Sequence, residues 1–442
     1  MSAPSSVRER GAAAKAAARK LAAVPGETKN QALLAAAGRI ESDSGAILDA
    51  NAADMADAAL LVEKGEMARS LLERLVLDGA KVRAMADGVR AVAALPDPSG
   101  RLLSRTLLDD GLILEKVTCP LGVLAVIFES RPDAVPQIAA LAVKSGNAAL
   151  LKGGRESIRS VSAILAAFQA ALASFPAIPA NVLQLLSTRE EADALLSLDR
   201  DVDLVIPRGG ADLVRHVQSR TRIPVLGHAE GVCHVYVDRA ADPGKSVAII
   251  VDAKTTYPAA CNAVETVLLH REIAKSLLAP LAASLREKGV EIRACAATRA
   301  LAPELDLTPA APGDFGREFG GLVLALKTVD GLEEAIDHVN RFGSKHTDAI
   351  VTEDRAAAER FLSEVDAAGV YVNASTRFAD GFRYGFGAEV GVSTSKLHAR
   401  GPVGLDGLVT TKYRLLGHGH VVATYSGSGA RPFRHVRLEP PG

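Results

Sequence analysis

Residues 122–128 (GVLAVIF) form an uninterrupted apolar segment of strand length, and this feature constrains the fold most. A strand that is apolar on both faces must be covered by helices on both sides, as in the parallel sheets of α/β proteins. Similar short segments recur and alternate with longer helical ones, which indicates βαβ units in doubly wound parallel sheets. The predicted strands are residues 111–118, 122–128, 147–152, 182–186, 202–206, 233–238, 264–270, 322–327, 349–351 and 370–373.

Three other regions differ in character from this alternating pattern. Residues 6–95 are rich in Ala, Leu and charged residues, which predicts several amphipathic helices. Residues 374–407 are glycine-rich and loop-like, and loops of this length usually have a function. Residues 409–425 again have strand character, and the segment from Ser426 onward is expected to be loosely structured.

The composition is that of a folded protein, and it gives no indication of a nucleic acid or membrane partner. The chain has 442 residues, 48% of them hydrophobic, and its 51 Lys and Arg nearly balance 52 Asp and Glu. This length predicts two or three domains. The net charge of -1 offers no global basic field for nucleic acid, and no apolar run is long enough to span a membrane.

The cysteines are few and far apart, at Cys119, Cys233, Cys261 and Cys295. This spacing fits neither a disulfide framework nor a cysteine zinc site, so we expect a reducing compartment and a cytoplasmic protein. Nucleotide-binding motifs are also missing: no GxGxxG follows a predicted strand, and the P-loop pattern around residues 239–246 lacks its first glycine.

The strongest local signal for chemistry is residues 255–270 (TTYPAACNAVETVLLH), where Cys261 ends a loop of small residues before a strand. A loop cysteine beside backbone amides can be stabilised as a thiolate and act as a nucleophile. The alternative is a small, inert core residue.

Several longer motifs resemble the gamma-glutamyl phosphate reductases, a branch of the aldehyde dehydrogenase superfamily, and the Cys261 segment resembles that superfamily's nucleophile loop. The motifs are residues 120–132 (PLGVLAVIFESRP), 144–147 (KSGN), 206–210 (IPRGG), 227–234 (GHAEGVCH), 340–346 (NRFGSKH), 373–380 (NASTRFAD) and 385–391 (GFGAEVG). They occur in order through about residues 25–420. The resemblance implies that Cys261 is the catalytic nucleophile.

The resemblance further implies NADPH-dependent reduction of L-glutamyl 5-phosphate to glutamate 5-semialdehyde in proline biosynthesis. The substrate acylates the cysteine with release of phosphate, and hydride transfer from NADP(H) then releases the aldehyde. The fused glutamate kinase module of some relatives is missing, so coupling to a separate glutamate kinase is expected. Two alternatives remain: an aldehyde-oxidising dehydrogenase, and an inactive scaffold that only binds partners.

The same resemblance implies an aldehyde dehydrogenase-like fold of two Rossmann-like domains with a small β element for homo-oligomerisation. The expected division is a cofactor domain at 1–108 and 127–236, a catalytic domain at 237–405, the oligomerisation element at 109–126 and 406–425, and a tail at 426–442.

The same resemblance also implies which residues bind the cofactor. Lys152 ends a strand where family members hold the adenosine ribose, and Gly153 follows it. Arg155 stands where NAD-preferring relatives have an acid, which favours the 2′-phosphate of NADP(H). The alternative for Lys152 and Arg155 is a pair of solvated side chains.

Two further cofactor contacts are expected. Gly209 and Gly210 precede a helix, so their amides can face the pyrophosphate, although such a pair is often only a turn. Glu318 matches the superfamily glutamate that positions the nicotinamide ribose.

Substrate contacts are assigned to arginines that stand beside serines. Arg131 with Ser130 and Arg377 with Ser375 are the candidates for binding the anionic groups, and the alternative for each arginine is a structural ion pair. Asn262, directly after the nucleophile, is expected at the oxyanion site through its backbone, as is the Cys261 amide.

Four histidines and one glutamate are expected to lie outside the catalytic machinery. His228, His234, His418 and His420 are interpreted as structural, pocket-lining or surface residues, and no metal site is expected. Oxidising relatives use a glutamate near the position of Gly227 and His228, where this chain has no carboxylate. Glu230 is close in sequence and is discounted as a base.

Overall fold

The computed structural model describes residues 6–228 and 230–439, and its helices alternate with strands as expected. The helices are α1 (Val7–Leu21), α2 (Gly26–Ser42), α3 (Ser44–Glu63), α4 (Arg69–Leu75), α5 (Gly79–Ala94), α6 (Ala134–Ser145), α7 (Ile158–Leu172), α8 (Arg189–Leu195), α9 (Ala211–Arg220), α10 (Pro243–Thr255), α11 (Arg271–Glu287), α12 (Ala296–Leu301), α13 (Leu332–Phe342) and α14 (Arg355–Glu364).

The strands are β1 (Leu102–Asp109), β2 (Leu112–Pro120), β3 (Val123–Phe128), β4 (Ala148–Lys152), β5 (Leu183–Leu186), β6 (Leu204–Arg208), β7 (Cys233–Val237), β8 (Val264–His270), β9 (Glu291–Ala294), β10 (Thr308–Pro309), β11 (Val323–Val329), β12 (Thr347–Val351), β13 (Gly369–Val372), β14 (Val392–Ser393), β15 (Gly401–Pro402), β16 (Val409–Leu416) and β17 (Val436–Leu438).

Two parallel sheets carry the fold. The smaller has the order β5-β4-β3-β6, and the larger has the order β10-β9-β11-β8-β7-β12-β13. In the smaller sheet the chain moves outward from β3 to β5 and then returns to the other side of β3 as β6. The gap between the carboxyl ends of β3 and β6 is therefore the switch point, where doubly wound proteins bind dinucleotides.

The apolar run of β3 is buried on both faces, as its sequence requires. Leu124 and Val126 pack with helices α2, α5, α6 and α7, while Val123 and Ala125 pack with residues of α1, α8 and α9. The larger sheet is likewise covered on two sides, with α10 and α11 on one and α13 and α14 on the other. The predicted α/β class is confirmed.

The motif KSGN is structural, because it fixes the turn between α6 and β4. Gly146 has a φ of 80° and ends the helix in a left-handed conformation, which suits glycine. The side chain of Asn147 accepts from Gly122 N–H at 2.7 Å and donates to the Leu408 carbonyl at 2.8 Å. The Lys144 ammonium is buried and donates to the Ala93 carbonyl at 2.8 Å.

The third large sheet is antiparallel, with the order β16-β2-β1-β17. Its strand β16 is buried only at Val409, and the exposed large apolar side chains on or after this strand, among the described residues, are Tyr413, Leu415, Leu416, Val421, Val422, Phe433 and Val436.

Strand pairing corrects the expected domain boundaries at four places. β3 belongs entirely to the smaller parallel sheet, although residues 109–126 were assigned to the oligomerisation element. β1 and β17 pair in the antiparallel sheet, although they were assigned to the cofactor domain and the tail. β7 pairs with β8 and β12 in the larger sheet, not in the cofactor domain. A boundary expected from a resemblance does not report which strand a segment pairs with.

Residues 1–5 and 440–442, at the ends of the expected cofactor domain and tail, lie outside the described residues. Within the part that is described, none of the helices combines the length and apolarity that crossing a membrane requires.

Candidate active site

Cys261 lies in the loop between α10 and β8, at the amino-terminal edge of the larger sheet. A methyl group built on Gly231, just before β7, would lie 2.1 Å from the Cys261 carbonyl oxygen, so only glycine allows these two loops to touch. The Cys233 thiol donates to the same carbonyl at 3.3 Å, and burial raises the pKa of Cys233 well above its usual value. Cys261 is half-buried, whereas the neighbouring Cys233 is buried, so Cys261 is the more accessible of the two thiols.

Asn262 anchors the nucleophile loop through its side-chain nitrogen, while its Oδ1 is buried without a hydrogen-bond partner among the described residues. Its Nδ2 donates to the Ala379 carbonyl at 2.8 Å, and Thr376 Oγ1 donates to the Asn262 carbonyl at 2.7 Å. The backbone N–H groups of Cys261 and Asn262, in contrast, have no acceptor among the residues described. The expected oxyanion role therefore stays with the two backbone amides.

Glu318 reaches the same loops from the segment before β11. Its carboxylate accepts from Gly231 N–H at 2.9 Å, directly beside the backbone of Cys261. Glu318 therefore lies beside the loop of the candidate nucleophile, and its expected contact with the nicotinamide ribose stays a prediction.

Arg208 and Arg377 lie near Cys261, and Arg131 lies near Arg208; within the described structure none of the three has an ion-pair partner. Burial lowers the pKa of Arg208, and the neighbouring charge of Arg131 lowers it further, while Glu389, Asp133 and the Cys261 thiolate oppose this shift. Arg208 Nη1 is buried without a hydrogen-bond partner.

Arg377 has the same character. It is 9% exposed, its Nε has no partner, and burial lowers its pKa, followed by repulsion from Arg383; the Cys261 thiolate opposes the shift. Its guanidinium lies over the ring of Tyr257 at 5.9 Å. The structural ion-pair alternative for Arg131 and Arg377 is not supported, because no carboxylate within the described residues pairs with either. Arg208 and Arg377 are thus half-buried or buried guanidinium groups near Cys261 without carboxylate partners in the described structure, an arrangement that suits an anion.

The two serines beside these arginines have different environments. Ser130 is buried with a φ of 42°, and its Oγ donates to Glu156 at 2.6 Å while its N–H donates to the same oxygen at 2.8 Å. The hydroxyl proton of Ser130 thus holds its own loop, and the expected substrate contact of Ser130 stays a prediction in which Oγ would accept a hydrogen bond. Ser375 Oγ accepts from Arg377 N–H at 3.3 Å, so Ser375 positions the backbone that carries Arg377.

Apart from Glu318, the expected cofactor residues lie at the carboxyl edge of the smaller sheet. Lys152 ends β4, half-buried, and its ammonium bonds only to the Gly153 carbonyl among the described groups. Burial lowers the pKa of Lys152, and Glu156 and Glu191 oppose this shift. A methyl group on Gly153 would lie 3.2 Å from the ring of Phe128, a tight contact, and Arg155 is exposed.

At the switch point, the turn formed by Gly209 and Gly210 is in contact with the carboxylate of Glu129. Gly210 is the N-cap of α9, and its N–H donates to the Glu129 carboxylate at 3.2 Å. A methyl group on Gly209 would lie 2.3 Å from the same carboxylate. The expected pyrophosphate position at Gly210 is therefore taken by an internal anion in this conformation.

Two histidines approach Cys261, which the sequence analysis did not anticipate. One ring nitrogen each of His228 and His346 and the sulfur of Cys261 all lie within 4.8 Å of one another. His346 is buried, and its Nε2 has no hydrogen-bond partner. The interpretation of His228 as only pocket-lining is thus incomplete. His234 is structural as expected, because it is buried and its Nδ1 contacts Asp348 Oδ1 at 3.2 Å.

Sequence reasoning missed Arg208, Glu389 and His346, although each stands inside a motif that it quoted: IPRGG, GAEVG and NRFGSKH. The signal was a charged or titratable residue at the end of a motif otherwise made of small and apolar residues. Their shared location depends on loops from both parallel sheets, which no spacing in the sequence reveals.

Comparison with known proteins agrees with this geometry. A family model described as "Aldehyde dehydrogenase family" matches residues 2–299 and 315–405. A gamma-glutamyl phosphate reductase of Synechococcus sp. (strain JA-3-3Ab) is 57% identical over 96% of this chain and 92% of its own length. The gamma-glutamyl phosphate reductase of Synechococcus elongatus is 56% identical over 96% of each chain.

A solved structure gives the same answer at the level of the fold. The crystal structure of gamma-glutamyl phosphate reductase from Thermotoga maritima superposes with a TM-score of 0.90 at 38% identity, covering 94% of this chain and all of that one. The expected fold and resemblance are confirmed: the chain belongs to the aldehyde dehydrogenase family and, within it, to the gamma-glutamyl phosphate reductases.

Proposed function

We propose that this enzyme reduces L-glutamyl 5-phosphate to L-glutamate 5-semialdehyde with NADPH, releases phosphate, and serves proline biosynthesis. The observation that carries the proposal is the half-buried thiol of Cys261 beside Arg208 and Arg377, two guanidinium groups without carboxylate partners in the described structure. A cysteine that only oxidised neutral aldehydes would not need this excess of positive charge.

The chain's residues supply the acylation chemistry. The Cys261 thiolate attacks the acyl carbon, the bond from that carbon to the phosphate oxygen breaks, and the electron pair leaves with phosphate. We propose that Arg208 and Arg377 receive the phosphate and that the backbone amides of Cys261 and Asn262 stabilise the oxyanion of the tetrahedral intermediate. The product of this half-reaction is a glutamyl thioester on Cys261.

The amino acid end of the substrate is zwitterionic and needs one group of each sign. Arg131 is exposed and acts electrostatically on Glu389, whose pKa is raised mainly by burial. Glu389 accepts from Gly381 N–H at 2.8 Å through one oxygen, which leaves the other for the substrate. We propose that Arg131 binds the α-carboxylate and Glu389 the α-ammonium group.

Membership in the family supports a nicotinamide cofactor, and we propose that it is NADP(H). Lys152 has donors left for ribose hydroxyls, Arg155 is an exposed cation for the 2′-phosphate, and Glu318 lies beside Cys261, where the nicotinamide ribose has to come. When bound, NADPH supplies the hydride that converts the thioester to the aldehyde and returns Cys261 as a thiolate.

The aldehyde-oxidising alternative requires a base that activates water near Cys261. Oxidising relatives have this base near the position of Gly227 and His228, and the nearest carboxylate to that position in sequence, Glu230, forms an ion pair with Arg215. A carboxylate held by a guanidinium is a poor base, so the structure favours phosphate over water as the acyl acceptor in the reverse reaction.

Replacement of Arg208 tests the proposal. Enzymatically generated glutamyl phosphate should support NADPH oxidation by the native enzyme but not by Cys261→Ser. Arg208→Gln should lower kcat/KM for glutamyl phosphate by roughly tenfold to a hundredfold, because a charged hydrogen bond is lost, with a nearly unchanged Kd for NADPH. Arg220→Gln, an exposed arginine on α9, is the matched control. An unchanged kcat/KM in Arg208→Gln would remove Arg208 from the phosphate site.

We propose that the antiparallel sheet mediates homo-oligomerisation. Strand β16 exposes Tyr413, Leu415 and Leu416, with Val422 nearby, and such apolar exposure is usual where chains associate. Leu415→Glu should lower the molar mass in light scattering, while Lys412→Glu on the same strand should not.

Two further expectations remain proposals. All four cysteines are free, which supports a reducing, cytoplasmic location. Because glutamyl phosphate is a reactive acyl phosphate, we also propose functional coupling to a separate glutamate kinase. Direct transfer between the two enzymes would be measured as product formation that resists a hydroxylamine trap.

A further inference from the structure

We propose that Cys261, His228 and His346 form a binding site for Zn²⁺, and that the ion reversibly blocks the nucleophile. The three ligand atoms lie within 4.8 Å of one another. Tetrahedral zinc with sulfur and nitrogen ligands needs separations of about 3.5 Å, so side-chain rotations of roughly an ångström complete the site.

The tautomer of His228 suits a ligand. Its Nδ1 lies 3.0 Å from the Val392 carbonyl, which can only accept a hydrogen bond. The proton therefore resides on Nδ1, and Nε2 carries the lone pair. Metal-binding histidines usually donate their second N–H to a carbonyl in this way.

His346 is also held through its Nδ1, in a buried position and by a hydroxyl that can accept the Nδ1 proton. The side chain is 1% exposed, and its Nδ1 lies 2.9 Å from Thr347 Oγ1. Its Nε2 is the atom without a hydrogen-bond partner, and a buried ring nitrogen is rarely left unpaired. The rings of His228 and His346 meet edge to face at 5.0 Å, so both face the same space beside Cys261.

The donor set selects the metal. One thiolate and two imidazoles favour Zn²⁺, whereas Mg²⁺ and Ca²⁺ prefer oxygen ligands. Binding would replace the thiol proton by the metal, with the proton released to solvent, and water would fill the fourth position. The charges of Arg208 and Arg377 oppose a second cation, which keeps the affinity below that of a structural zinc site.

An ion can reach this position from solvent. A cavity of about 350 Å³ opens beside the site and is lined by Arg215, Gln218, His228, Glu230, Ser344 and Thr394 among others. Zinc binding itself does not depend on the proposed reaction. Its inhibitory effect does rest on the proposed role of Cys261.

The test uses the metal alone, without turnover. Metal-free, reduced enzyme is titrated with Co²⁺, and the thiolate-to-cobalt absorption band is followed; Zn²⁺ should then displace it. We expect the band in the native enzyme and in Cys119→Ser, and its loss in Cys261→Ser. His228→Ala and His346→Gln should each weaken Zn²⁺ binding at least about tenfold, while the exposed His418→Ala should not.

Two results would overturn the proposal. One is a cobalt–thiolate band that persists in Cys261→Ser, and the other is native Zn²⁺ affinity in both histidine variants, which means adventitious surface binding. Because His346 is buried, its variant is checked by thermal melting; if it does not fold, half-buried His228 decides the outcome. As a second readout, Zn²⁺ should slow alkylation of Cys261 in the native enzyme and leave Cys119 unaffected.

Discussion

The Glu129 carboxylate accepts a hydrogen bond from Gly210 N–H at 3.2 Å, across the gap between the ends of β3 and β6. This gap is the switch point of the smaller sheet, and the amide is the N-cap of a helix of ten residues. A negative group is stabilised there by the helix dipole and the free amides. Glu129 thus occupies the position that suits a cofactor phosphate.

We predict that Glu129→Gln binds NADPH more tightly than the native enzyme. Removing the charge ends both the competition for Gly210 N–H and the repulsion of pyrophosphate. At about 0.3–1 kcal/mol for a charge at a helix end, the Kd should fall roughly two- to fivefold, measured by fluorescence titration. The affinity for 2′-AMP, which lacks the pyrophosphate, is the control and should not change. A weaker Kd for NADPH would show that the pyrophosphate binds elsewhere.

Arg155→Glu should raise KM for NADPH more than KM for NADH. The exposed guanidinium is expected to pair with the 2′-phosphate, and the substituted carboxylate would repel it. Steady-state kinetics with both cofactors give the ratio, and Arg220→Glu serves as a surface control. Equal effects on the two cofactors would contradict a contact between Arg155 and the 2′-phosphate.

The Lys254–Glu265 pair behind the nucleophile loop should be strongly coupled. Its Nζ and Oε2 atoms lie 2.6 Å apart, and both side chains are fully buried, on α10 and β8. Burial raises the pKa of Glu265 to about 7 and lowers that of Lys254. Lys254→Met should cost about 3–5 kcal/mol in the free energy of unfolding, since it leaves a buried acid without its partner.

The double variant Lys254→Met/Glu265→Leu should recover most of this loss, as measured by denaturant unfolding. Losses that simply add in the double variant would mean that the two side chains are not coupled.

His338 should make the protein less stable in acid. Burial is the main reason that the pKa of His338 is lowered to about 3, with repulsion from His234, Lys327 and Arg341 adding to it. The unfolded chain binds a proton below about pH 6.5, whereas the folded protein does not, so stability falls as the pH decreases from 6.5 to 3. Between pH 7 and 5 this single group should cost about 2 kcal/mol.

His338→Gln keeps a polar side chain that does not titrate, and it should flatten this part of the stability profile. An equally steep decline in the variant, followed by denaturant unfolding at each pH, would assign the acid sensitivity to other groups.

The sequence predicted the strands well where burial on both faces forces an apolar run. Residues 264–270 were predicted as a strand and form β8 with the same bounds, and β3 differs by one residue. β9 was missed because it is short and carries Glu291 and Arg293 among only two apolar residues. The local sequence pattern indicates which residues are buried, whereas β9 is a strand because it pairs with β10 and β11.

The site was predictable only in its separate parts. Cys261, Glu318 and Arg377 were found from motifs, and the structure brings them to one place. Arg208 and His346 were overlooked, because they reach the site only through contacts with loops more than 50 residues away along the chain. The hydrogen bond from Ser130 to Glu156 was not predictable, because Glu156 lies on a different strand connection.

The central claim is that Cys261 exchanges its acyl group with phosphate and not with water, and the reverse reaction measures this directly. Glutamate 5-semialdehyde and NADP⁺ are mixed with the enzyme, and NADPH formation is recorded while inorganic phosphate is varied from none to saturating. The account predicts no steady NADPH formation without phosphate and a rate that saturates as phosphate is added. Steady formation in phosphate-free buffer that is lost in Glu230→Gln would contradict it and identify an aldehyde-oxidising enzyme.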